Sequence, residues 1–245
     1  MAIDDRFSDK GLAGNALHEI HGGEARIAGA ATGFLAGLLT RNQRRADETE
    51  RPILWVQGPS SAHETGRLHG PGLYGFGADP GRIILVTARS VGETLWVLEE
   101  GFSCAGLQAV VGDLRGDPRA LDLTATRRLV LRARKAGRPG FLLRTSAAEA
   151  ASAARSRWTI TPARSLPLGR YTTGPGRAVW KIDLVKNRDG PIGAWIVEWN
   201  HHDRSFTQIS ADSLALASQT ADRPDRASTP QNSGGETLVP FRRAS

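Results

Sequence analysis

Cysteine is almost absent: Cys104 stands alone in 245 residues, so no disulfide can close within the chain. It sits in an apolar stretch, GFSCAGL, and is expected to be a small buried hydrophobe. Long apolar runs are absent too. None approaches the ~18 residues a membrane-spanning helix needs, and the opening MAIDDRFSDKG lacks the basic-then-apolar pattern of a secretory signal. Metal-ligand spacing is missing around His18, His21, His63, His69, His201 and His202, and no G-x-S-x-G elbow occurs. These absences exclude a disulfide scaffold and a helical membrane protein, leave no metal site to propose, and predict a soluble cytoplasmic protein. Lysine is scarce as well, at 4 beside 28 arginines, within a net charge of +7. Guanidinium groups make bidentate contacts with phosphate, so this balance favours an anionic partner such as nucleic acid.

The chain is long enough for one α/β domain and a tail. Residues 1–15 read as a flexible arm, 16–200 as the α/β domain, and 201–245 as a mostly disordered tail rich in Ser, Thr, Ala, Asp and Pro. Strands are expected at ALHEI (16–20), ILWVQ (53–57), RIILVTA (82–88), LQAVVGDL (107–114) and PGFLLRT (139–145). All are solid apolar runs, as in a parallel sheet covered on both faces. Helices alternate with them. RIAGAATGFLAGLLT starts the first, and SVGETLWVLEEGFSC the second, with Ser90 and Glu93 as a capping box. DLTATRRLVLRARKAG is the third, closed by Gly137. The glycine-rich stretch between residues 58 and 81 reads as loop. The order β-α-β-β-α-β-α-β predicts a mostly parallel three-layer sheet. Beyond it, AVWKIDLVKN and IGAWIVEW form an antiparallel hairpin about the turn Arg188–Pro191, with Trp180, Ile182 and Leu184 facing Ala194, Ile196 and Val197.

One stretch, HEIHGGEARIAG, is built like a phosphate-binding loop: a strand, two glycines, then a small-residue helix. Such a loop needs a lysine to reach the β/γ oxygens and a hydroxyl to ligate magnesium. Both are missing, although Gly22, Gly23, Glu24 and Arg26 occupy the turn. Asp113 ends an apolar strand, where a magnesium-orienting carboxylate sits in nucleotide hydrolases. The site reads as degenerate, with no cofactor; residual ATP and magnesium binding, with Arg26 in place of the lysine, is the alternative.

Basic side chains are the other feature. Arg128, Arg132 and Lys135 share one face of the helix over 122–136, and Arg115 and Arg119 lie just before it. They are either a solvated face or a surface for DNA phosphates. Glu99 and Glu100 read as a solvated pair. Near the terminus, Leu238, Val239 and Phe241 in TLVPFRRAS form an apolar island able to dock on a partner.

The run GLYGFGADPGRIILVTARSVGETLWVLEEGFSCAGLQAVVGDL resembles the RecA-like core, ending at Asp113 in the Walker B position, and LHEIHGG resembles the strand leading into its phosphate loop. Taken with GLAGNALHEIHG, Trp96–Glu100 and the hairpin Trp180–Trp195, the chain is similar over residues 11–200 to the ImuA family of damage-inducible mutagenesis operons. The resemblance implies a RecA-like accessory protein of error-prone translesion synthesis, partnered by ImuB and an error-prone replicative-type polymerase subunit, with RecA a further candidate. It places the loop's lysine and hydroxyl on Ala28 and Gly29, and the catalytic glutamate near Pro59 or Ser60, so ATP hydrolysis is not expected. It aligns the DNA-gripping loops with residues 114–123 and 145–157, adding Arg155 and Arg157 to the candidate DNA contacts. Three readings follow: a non-catalytic scaffold, a divergent ATPase, and a stand-alone DNA-binding module.

Overall fold

A computed structural model describes residues 11–24, 27–45, 51–148, 150–165 and 176–210. Among the described residues, nine strands form one sheet in the order β3-β2-β4-β5-β1-β6-β7-β8-β9. The parallel part comprises β1 (Leu17–Gly22), β2 (Ile53–Gln57), β3 (Ile83–Thr87), β4 (Ala109–Arg115), β5 (Gly140–Thr145) and β6 (Ser156–Ala163). β7 (Val179–Asn187), β8 (Gly193–Asn200) and β9 (Ser205–Ile209) continue it antiparallel. The expected α/β class, with a parallel core and an antiparallel C-terminal extension, is what the chain adopts.

Helix α1 (Ala28–Arg45) covers one face and packs Phe34, Leu35 and Leu39 on it. The antiparallel strands supply the other half of that core. Trp180, Ile182 and Leu184 of β7 lie with Trp195, Val197 and Trp199 of β8 and Phe206 of β9. The rings of Phe34 and Trp180 meet edge-on at 5.9 Å, and those of Trp199 and Phe206 lie 4.9 Å apart. Each such pair adds roughly 0.5–1.5 kcal/mol beyond the area it buries.

Helices α4 (Val91–Ser103) and α5 (Leu123–Ala136) cover the opposite face, so the domain has three layers. Leu95, Leu98, Phe102 and Leu129 fill the space above Leu54, Val110 and Leu142. Their ends follow the local signals. Ser90 Oγ accepts the Glu93 N–H at 3.1 Å, while the Glu93 carboxylate takes the N–H of Arg89 at 2.7 Å. The reciprocal cap thus closes one residue earlier than a standard capping box. Asp122 caps α5 through the Ala125 N–H, and Gly137 ends it at φ 65°, a conformation that costs glycine nothing.

Several expectations are corrected. β3 is not a buried strand: it is the edge of the sheet, with Ile84 and Leu85 47% and 38% exposed. A solid apolar run identifies a strand but not whether both its neighbours exist. The glycine-rich connection carries two short helices, α2 (Pro59–Glu64) and α3 (Gly70–Gly75), and a 3-10 turn at Pro80–Arg82. The β7–β8 register sets Ile182 opposite Trp195 and Trp180 opposite Val197. Ala194 and Ile196 therefore face away from the core, and the three-tryptophan phase of the hairpin wins because it buries more area. β9 lies within the stretch read as tail, its Phe206 buried in the aromatic core. Cys104 is exposed, just past the end of α4.

Candidate functional site

The C-terminal ends of parallel strands form the crevice where open α/β sheets bind ligands. Here β1 runs into Gly22 and Gly23, the Ile27 N–H closes a turn on the Glu24 carbonyl at 3.0 Å, and α1 starts at Ala28. A Cβ on Gly22 would lie 3.0 Å from that of Ala31, so the helix can pack this close to the strand only over glycine. The Ser146 N–H donates to the Gly23 carbonyl at 3.0 Å and ties the turn to the exit of β5. Ala28 is buried and Gly29 is exposed at the start of α1, and neither side chain can meet a phosphate. Arg26 lies outside the described residues, as do Leu238, Val239 and Phe241.

A cleft of about 210 Å³ opens beside this turn, lined by Ala28, Thr32, Gln57, Leu68, Phe76 and Asp113 among others. Asp113 is the one carboxylate among its described lining residues. It is buried, and its Oδ2 accepts a hydrogen bond from Gln57 Nε2 at 3.2 Å. Burial raises its pKa above the ordinary aspartate value, against the pull of that bond. The Gln57 amide also donates to the Gly66 carbonyl and accepts the Leu68 N–H, locking the end of β2 to the segment after α2. Pro59 and Ser60 open α2, and Glu64 at its end is ion-paired with Arg115. Neither Pro59 nor Ser60 carries a base, His69 is the cleft's imidazole, and burial biases the Asp113 carboxylate toward its neutral form. Among the described residues, no group of three or more His, Cys, Asp and Glu could hold a metal.

The candidate arginines do not converge. Arg128 and Arg132 bracket Glu99 at 3.0 and 3.7 Å, which makes Glu99 a cross-helix partner instead of one of a solvated pair. Lys135 and Arg119 are exposed. Arg155 donates to Asp189 at 2.6 Å and fastens the hairpin turn. Arg157 is buried, donating to Glu19 at 2.7 Å and to the Ala150 carbonyl at 2.6 Å.

Sequence reasoning missed the polar interior behind the crevice. Glu19 is fully buried in β1 opposite Arg157 of β6. Burial pushes its pKa up, but contacts from His21 and Ser152 and the charge of Arg157 outweigh that and hold it at about 2. Arg144 donates to the Gly116 carbonyl and, at 2.9 Å, to Asp117; the other Asp117 oxygen takes the Ala148 N–H at 2.8 Å. The two loops aligned with DNA-gripping segments are thus stapled to each other and to the sheet. His18, also in β1, accepts from the Ser156 hydroxyl at 2.7 Å through Nδ1 and donates from Nε2 to the Ala13 carbonyl at 3.0 Å. Trp158 Nε1 donates to the same hydroxyl, which leaves the Ser156 proton for His18 and fixes the neutral tautomer. The available signal was three ionisable residues, His18, Glu19 and His21, inside the short strand LHEIHG.

The fold and crevice define a class: a three-layer α/β protein with a glycine-bearing strand-turn-helix at the C-terminal end of β1. The particular family follows from comparison. Over 225 residues the chain is 33% identical to Protein ImuA of Caulobacter vibrioides strain NA1000 / CB15N, and equally to that of strain ATCC 19089 / CIP 103742 / CB 15. The match spans 85% of this chain and 86% of the relative. The chain belongs to the ImuA family. No protein-family profile matches it.

Proposed function

We propose that this protein is a non-catalytic accessory protein of DNA-damage-induced, error-prone translesion synthesis. It works as a RecA-like scaffold that binds ImuB and an error-prone polymerase subunit. Family membership supports the process, and the crevice supports the absence of catalysis. The observation that carries the latter is the pairing of a buried, amide-held Asp113 with Ala28 and Gly29 at the start of α1. A phosphate loop stripped of cation and hydroxyl has lost most of the electrostatic stabilisation phosphoryl transfer needs. The turn persists because the sheet needs a close strand-to-helix connection at Gly22.

The test is thermal unfolding with and without millimolar Mg-ATP, for wild type and Asp113→Asn. A ligand at about 100 times its Kd stabilises by about 2.7 kcal/mol, which such a scan resolves easily. No shift is expected in either protein. A shift in wild type that disappears in Asp113→Asn would replace the scaffold reading with a divergent nucleotide-binding one.

A further inference from the structure

Helices α4 and α5 present an outer surface of unusual composition. Trp96 is 63% exposed and Leu131 62%, whereas the other five tryptophans are at most 8% exposed. Large apolar side chains cost free energy when left in water, and grouped with polar neighbours they mark contact surfaces.

Two hydrogen bonds fix the relative level of the helices. Arg128 to Glu99 and Arg132 to Ser103 both join residues 29 apart, so α4 and α5 run parallel with a constant offset. Trp96 is then level with residue 125, and Leu131 with residue 102. Six residues at about 1.5 Å rise put the two anchors about 9 Å apart along the groove. Positions i and i+7 of a helix laid in that groove are separated by about 10.5 Å, a near match.

Charge narrows the partner. The outer face carries Arg127, Arg128, Arg132 and Lys135 against Glu99 and Glu100. Glu99 pairs with both guanidiniums, at 3.0 and 3.7 Å, which restrains them and mutes their long-range field. Phosphate binding would want that field unmuted, and Leu131 offers nothing for a base to stack upon. Carboxylates flanking an apolar stripe use every element present: two anchors in the centre and restrained arginines at the rim.

We propose that the α4–α5 face docks an acidic amphipathic helix of a partner protein, with Trp96 and Leu131 as anchors and Arg128, Arg132 and Lys135 pairing its carboxylates. The proposal rests on the scaffold reading and gives it a docking face.

The test titrates the full chain into a fluorescein-labelled helical peptide of about 20 residues, leucines on one face and glutamates beside them, read by anisotropy. Saturable binding is expected. It should weaken roughly tenfold or more in Trp96→Ala and in Leu131→Ala, and fall likewise when the peptide's glutamates become lysines. Both variants should unfold at the wild-type temperature, since both side chains are exposed. Absence of saturable binding, or binding that both substitutions leave intact, overturns the proposal. A labelled oligothymidylate that binds in a Trp96-dependent way while the peptide does not also overturns it and assigns the face to nucleic acid. A Mg-ATP shift dependent on Asp113 would refute the non-catalytic reading alone, so the two failures are distinguishable.

Discussion

Acidification should destabilise this protein in a window that one buried side chain defines. His18 is fully buried, and burial lowers its pKa from 6.5 to about 4 even though the Ala13 carbonyl favours the charged form. The folded state therefore resists protonation, and between pH 6.5 and about 4 the unfolded chain binds the extra proton. Stability from this group is complete above 6.5, declines as pH falls through the window, and changes no further below about 4. A fall from 6.5 to about 4, at roughly 1.36 kcal/mol per tenfold change in proton affinity, is worth about 3 kcal/mol. That is a large fraction of the ~5–15 kcal/mol typical of a domain. The assay is urea unfolding from pH 8 down to pH 3 on wild type and His18→Gln, whose amide can keep one donor and one acceptor. Wild type should lose about 3 kcal/mol across the window. The variant should start lower by roughly 1–3 kcal/mol, for hydrogen bonds imperfectly replaced, but decline far less before acid reaches the carboxylates. Equal slopes in the two proteins between pH 6.5 and 4.5 would refute the reasoning, because the titrating group would then lie elsewhere.

Glu19 provides a second acid phase: its pKa is depressed, so its contribution holds above 4.5 and is lost toward about 2. Glu19→Gln should abolish that phase and cost about 3–5 kcal/mol by leaving the buried Arg157 charge unpaired, with the double variant Glu19→Leu, Arg157→Met recovering much of it in urea unfolding. Phe206→Ala should cost about 3–5 kcal/mol by the same measurement, as expected of a core aromatic and not of a tail residue.

Much of the architecture was legible in the chain because its causes are local. Largely apolar runs with turns around them identify β2, β4 and β5, and Ser90, Asp122 and Gly137 delimit helices through contacts within a few residues. That Ala28 and Gly29 follow the Gly22-Gly23 turn is likewise a fact of sequence. What sequence could not decide was everything that depends on a distant neighbour. Whether Ile83–Thr87 is central or an edge depends on whether a second strand lies beside it, and none does among the described residues. Arg128 and Arg157 look alike as letters; one lies on a helix surface beside Glu99, the other inside the sheet beside Glu19, 138 positions away. The face β8 presents to the core was settled by Trp195 and Trp199 packing in one cluster with Trp180 of β7, and Phe206 of β9 completes that cluster. Periodicity and capping act over a few residues, whereas burial and ion pairing are set by the three-dimensional neighbourhood, and only folding brings that neighbourhood together.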